Sequence, residues 1–324
     1  MSLHPSGFAP DFARASAYPQ LAAAGVAIDA RDWTGVRAIM ESLDWAGRQS
    51  VAWEVAEKEW SVEFLHGVLA ADPTDLYAAA VLGEALVEAG WRIRTGARAA
   101  NVSREQFAAL HDHLRRAERI LIDVTARDPG NAVAWTARLT TARGLELGQN
   151  ETRRRYDQCA KYTPNHLPAQ RSLMQQLAPK WSGSFEAMHA FARECLTTSP
   201  EGSLNAAVIV DAHIEHWFDV TKINDRSDPD AQLKDEAARQ EVRAAAARSI
   251  FHPAFTYPWG WVAVVSAFAA WFSRVNDLES AARCFRLLGP YAAERGWEFL
   301  YWKDPKGAFV ENRAKAIAAV GGQA

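Results

Sequence analysis

The chain has 324 residues, 49% of them hydrophobic and 23% charged, with a formal net charge of −3. A near-balanced charge excludes bulk attraction to nucleic acid, and the length predicts about two domains' worth of chain or one extended repeat array. Three cysteines, at positions 159, 195 and 284, are too few and too far apart for a disulfide framework and fit a reducing, cytoplasmic setting.

From the start, residues 1–18 read as a flexible arm carrying Phe8, Phe12 and Tyr18, without the basic-then-apolar order of a secretory leader. Residues 19–72 read as N-terminal helices, with Trp33, Val36, Ile39, Met40 and Leu43 on one apolar face. Helix-favouring Ala, Leu, Glu and Arg then run nearly throughout. Leu110, Leu114, Ala117, Leu121 and Val124 show the three-to-four-residue spacing, and no stretch alternates as a strand would. The expected class is all-α. Pro73, Pro129, Pro164, Pro200 and Pro253, spaced 56, 35, 36 and 53 residues apart, each end one helical run and permit the next. An Arg-rich insertion is expected at 91–106, closed by Ser103 and Gln106 at capping-box spacing, and a polar loop at 219–233. Residues 249–273 hold no Asp, Glu, Lys or Arg, but Pro253 and Pro258 leave only about 15 uninterrupted residues, short of the ~20 a membrane helix needs. That stretch predicts a buried core helix. Residues 291–324 read as a C-terminal helix and a tail that frays after Gly321.

Two of the proline intervals approach the 34-residue period of helix-turn-helix repeats, and the others add an insertion of about 20 residues. Within the units, Leu82, Gly83, Leu86 and Gly90 follow Pro73, Trp135 follows Pro129, and Leu173 and Leu177 follow Pro164. Ala117, Leu121 and Val124 precede Pro129, as Tyr156 and Cys159 precede Pro164 and Met188, Ala192 and Cys195 precede Pro200. Together these resemble degenerate tetratricopeptide repeats over roughly residues 73–290. Leu177-Ala-Pro-Lys-Trp-Ser-Gly-Ser184 also resembles a bacterial helical family of unknown function with a Pro-Lys-Trp-Gly-Gly-Ser signature, with Ser182 in place of the first glycine. The resemblance implies a tetratricopeptide-like antiparallel helix-pair solenoid with two inserted loops. It further implies a concave groove walled by Tyr77, Glu84 and Glu88 in one unit and by Thr136, Thr140 and Arg143 in the next. Arg171 and Gln175, then Asp211 and Glu215, continue that wall. Glu84/Glu88, Arg171/Gln175 and Asp211/Glu215 lie one helical turn apart, so each pair shares a face.

Chemistry-bearing motifs are scarce. His213 and His216 lie on adjacent helical turns beside Asp211, Glu215 and Asp219, but a metal site needs three or four convergent ligands and the sequence names no third. His111 and His113, two apart, face different sides of a helix. Cys159 and Cys195 share one repeat position and read as buried, inert thiols. No phosphate loop, nucleophile elbow or His-Glu-x2-His is present, so no catalytic residue, cofactor or metal is assigned.

The expectation is therefore a non-catalytic helical-repeat scaffold that binds a peptide or protein segment in a polar groove, with neither nucleic acid nor membrane as partner. One alternative is an enzyme or small-ligand protein with a pocket between the 91–106 insertion and the Lys180-Trp181 turn, using Arg94, His166, Lys180 and Trp181. The other is self-assembly through the Trp-rich C-terminal part; the chain carries 13 tryptophans, about three times average usage.

Overall fold

The computed structural model describes residues 8–96, 101–223 and 231–321. All regular elements among them are helical; a single isolated bridge joins Asp11 and Tyr291. No described helix is long and apolar enough to cross a membrane. The chain forms two compact units, one of residues Pro19–Leu177 and one combining the segment through Tyr18 with everything from Ala178 on.

The N-terminal unit holds α1 (Pro19–Asp29), α2 (Trp33–Ser42), α3 (Trp45–Ala56), α4 (Ser61–Ala71) and α5 (Leu76–Arg94). It continues with α6 (Arg104–Arg127), α7 (Ala132–Gly144), α8 (Gln149–Tyr162) and α9 (Leu167–Gln176). Short polar side chains start many of these helices by accepting an otherwise unpaired backbone N–H. Asp75 accepts from Ala78 N at 2.9 Å and Asn131 from Ala134 N at 3.0 Å. Ser103 and Gln106 form the full capping box their spacing predicts. The expected insertion at 91–106 begins as helix, because α5 continues through Arg94; residues 97–100 of it lie outside the described residues.

Packing follows chain order. Helix α3 lies against α5, α7 and α9; α5 packs on α6 and α7; α7 packs on α8 and α9. Leu82, Leu86, Leu110, Leu114, Leu121 and Leu139 fill the layer between, each at most 2% exposed. Each such side chain contributes about 1.5–3 kcal/mol through burial. Gly83 lets α5 and α6 approach, since a Cβ there would stand 2.4 Å from Leu121 Cδ2. Gly144 does the same for α7 against Leu114. A buried ion cluster ties three helices together: Glu118 of α6 meets Arg138 of α7 and Arg155 of α8, each at 2.9 Å, and accepts from Thr141 Oγ1.

The C-terminal unit contains α10 (Phe185–Thr198), α11 (Ala207–Phe218), α12 (Ala231–Lys234), α13 (Glu236–Arg248) and α14 (Trp261–Arg274), then α15 (Leu278–Leu288), α16 (Trp297–Leu300) and α17 (Pro305–Ala319). Helix α11 packs on α10, α13 and α14, and α14 on α15, α16 and α17. The charge-free stretch is the predicted core helix: Val264, Val265, Phe268, Trp271 and Phe272 of α14 are all at most 1% exposed. Trp297 is also fully buried and donates to Ser266 Oγ at 3.1 Å. The described part of the N-terminal arm is seated on this unit. Asp11 N donates to Pro290 O, Ala292 N donates to Asp11 O, and Phe12 meets Phe309 edge-on. Tyr18 Oη accepts from Gly260 N and Val262 N while its ring stacks on Trp259. The polar loop expected at 219–233 opens as a π-helical turn, Asp219–Ile223; residues 224–230 lie outside the described residues.

Candidate functional site

Two polar regions stand out, one in each unit. In the N-terminal unit, the expected groove residues occupy α5, α7 and α9, the helices that successively neighbour one another. Tyr77, Glu88, Thr140, Arg143, Arg171 and Gln175 are half-buried, whereas Glu84 and Thr136 are buried. Arg143 Nη1 donates to Ser172 O at 3.1 Å, linking α7 to α9. Glu88 pairs with Arg92 at 3.7 Å. Guanidinium groups of Arg37 and Arg48 lie over the Tyr77 ring at 5.9 and 5.5 Å. Glu84 faces α3, where burial outweighs the polar side chains of Trp53 and Gln49 and pushes its carboxyl up to about 7.

The remaining groove candidates, Asp211 and Glu215, belong to α11 of the other unit, and both are buried in ion pairs. Arg295 reaches Asp211 at 3.0 Å, and Lys180 reaches Glu215 at 2.6 Å. Of the alternative-pocket residues, Arg94 and His166 fall in the N-terminal unit and Lys180 and Trp181 in the C-terminal one. Arg94 lies over the rings of Trp91 and Phe107, both at 5.8 Å. His166 is 6% exposed, and burial drives its imidazole down to about 4, so it is neutral. Lys180 and Trp181 form a single 3-10 turn, Pro179–Trp181, followed by Ser182 at φ 65° and by Ser184, which caps α10 as its position predicts.

The second polar region is a histidine cluster inside the C-terminal unit. Helix α11 presents His213 and His216 from adjacent turns, α10 supplies His189, and α13 supplies Glu241. His189 Nε2 lies 3.1 Å from His216 Nδ1, and His213 Nε2 lies 2.8 Å from Glu241 Oε2. The His189 ring stands 4.6 Å from that of His213 and 5.4 Å from that of His216. Neighbouring side chains hold these groups in place. Gln232 Nε2 lies 2.9 Å from His213 Nδ1, Arg193 Nε donates to Glu241 Oε1 at 2.6 Å, and Phe185 stacks on His216 at 3.7 Å. Burial, reinforced by the two adjacent imidazoles, holds His189 down to about 3. The hydrogen bond with His213, joined by that from Arg193, holds Glu241 down to about 2. The cluster therefore contains a neutral His189 and an ionised Glu241 at neutral pH.

The sequence named His213 and His216 but not His189 or Glu241. No local spacing connects them, because α10 and α13 converge on α11 only through packing; the polar positions on otherwise apolar helix faces were the available signal. Cys159 and Cys195 are buried, as expected of them, and so is Cys284; burial pushes the Cys159 thiol up to about 12. Comparison with protein-family models, curated proteins and solved structures finds no match to this chain.

Proposed function

We propose that the chain is a tetratricopeptide-like helix-pair scaffold whose first helices bind a polar peptide or protein segment. The observation that supports this is the packing order of the N-terminal unit. Helices α3, α5, α7 and α9 each lie against the next, while α6 bridges α5 and α7 and α8 bridges α7 and α9. Helix pairs in that order build a broad, rigid surface, which is the usual asset of repeat proteins.

Recognition falls on the half-buried members of that row: Tyr77, Glu88, Thr140, Arg143, Arg171 and Gln175. Buried Glu84 and Thr136 take the supporting role beneath them. Arg143 and Arg171 sit on successive first helices, and planar guanidinium groups suit a carboxylate, whether an acidic side chain or a chain terminus. A partly desolvated setting strengthens such pairing relative to open water.

Selection of a displayed random-peptide library on the purified chain tests this. Enrichment of acidic sequences or free carboxyl termini is expected, with at least tenfold weaker binding by a folded Arg143→Glu/Arg171→Glu variant. Absence of enrichment, or equal binding by the variant, overturns the reading.

A further inference from the structure

We infer that His189, His213 and Glu241, with His216 beside them, form a binding site for one divalent transition-metal ion of the zinc class. One ligand atom from each of the first three lies within 4.8 Å of the other two. Two nitrogens sharing a tetrahedral ion at 2.0–2.1 Å stand about 3.3 Å apart. His189 Nε2 and His216 Nδ1, at 3.1 Å, are already near that separation. His213 Nε2 and Glu241 Oε2, at 2.8 Å, are slightly inside it, so the ion displaces a short hydrogen bond.

The donor set decides the metal class. Imidazole nitrogens with one carboxylate suit zinc and its borderline neighbours, whereas calcium and magnesium call for oxygen ligands. Neutral imidazole and ionised carboxylate are the ligating forms, and three helices bring such side chains together here. No redox or covalent step is involved. Binding at His213 Nε2 moves that ring's proton to Nδ1, from which it donates a hydrogen bond to the Gln232 amide oxygen once that amide turns; the proton shared between His189 Nε2 and His216 Nδ1 moves in the same way to the far nitrogen of its ring.

The surroundings have the character of a supporting shell, the part of a metal site that orients its ligands. Gln232 holds the far nitrogen of His213, Arg193 holds the far oxygen of Glu241, and Phe185 fixes the plane of His216. Trp271 lies 5.4 Å from the His213 ring and walls the inner side. The outer side is open to an arriving ion, since the Glu241 side chain is 20% exposed and that of Arg193 57%. A hydrogen-bonded His–Glu–Arg group that is only structural accounts for Glu241 and His213. It leaves unexplained why two further imidazoles, those of His189 and His216, crowd in beside them.

The test is equilibrium dialysis of the full chain, stripped with chelator, against Zn2+, with metal read by elemental analysis and Co2+ used as a spectroscopic stand-in. One zinc per chain at micromolar free metal is expected, with a raised melting temperature and the intense visible bands of a tetrahedral Co2+ site. Glu241→Gln and His216→Gln alter partly exposed groups and should fold; each should weaken zinc binding tenfold or more, as should His213→Gln if it folds. His111→Gln/His113→Gln should bind as wild type does. Less than one-tenth of an equivalent of zinc, or equal uptake by Glu241→Gln and wild type, overturns the assignment.

Discussion

Glu84→Gln isolates the cost of a buried carboxyl. Glu84 is 8% exposed, and its Oε2 has no hydrogen-bond partner among the described residues. Burial, with Glu88 one turn away, raises the carboxyl from its ordinary 4.5 to about 7 against the opposing effect of Trp53 and Gln49. A folded-state pKa above the unfolded value means that the native chain binds the extra proton. Stability is then whole below pH 4.5 and falls as pH rises through about 7. At 1.36 kcal/mol per pH unit, the interval from 4.5 to about 7 amounts to about 3 kcal/mol. Glutamine keeps the shape and a donor towards Gln49 but does not titrate. Urea unfolding of wild type and variant should therefore show nearly equal stability at pH 4.5. By pH 8 the variant should be ahead by up to about 3 kcal/mol. A gap that does not change with pH, or a variant less stable at pH 8, would refute the argument. The first result would mean that the carboxyl titrates alike in the folded and unfolded chain, the second that it is ionised and well paired in the native state.

Other substitutions probe the packing. Gly83→Ala gains about 1 kcal/mol of helix propensity but drives its Cβ into fully buried Leu121, so a net loss of about 1–2 kcal/mol is expected in chemical denaturation. Glu118→Gln strips the carboxylate from two buried guanidinium groups and should cost about 3–5 kcal/mol, measured the same way. Glu118→Asp, if it restores most of that loss, locates the effect in charge. Ser266→Ala removes the acceptor of the Trp297 indole and the donor to Ala293 O, for a loss of about 1–3 kcal/mol and a shift in tryptophan emission.

Much of the fold is legible locally. Short polar residues ahead of apolar runs start helices, as at Asp75, Ser103 and Asn131, and the two prolines before Trp261 mark where α14 begins. Val36 and Met40 are buried on the face their spacing predicts. What periodicity does not convey is which polar residues turn inward. Glu84, Asp211 and Glu215 share helix faces with solvated residues in the sequence pattern, yet each is buried by a partner element far along the chain. Asp211 meets Arg295 and Glu215 meets Lys180. The histidine cluster is hidden for the same reason, since only tertiary packing brings α10, α11 and α13 together. The Glu118–Arg138–Arg155 cluster is likewise spread over three helices, which no local spacing connects.

The central claim, recognition along α5, α7 and α9, is tested most directly by amide hydrogen exchange on the full chain with and without a peptide enriched by selection. Slowed exchange in those three helices, strongest around Thr140–Arg143 and Arg171–Gln175, is predicted, and it should vanish with Arg143→Glu/Arg171→Glu. Protection confined to other helices would contradict the account.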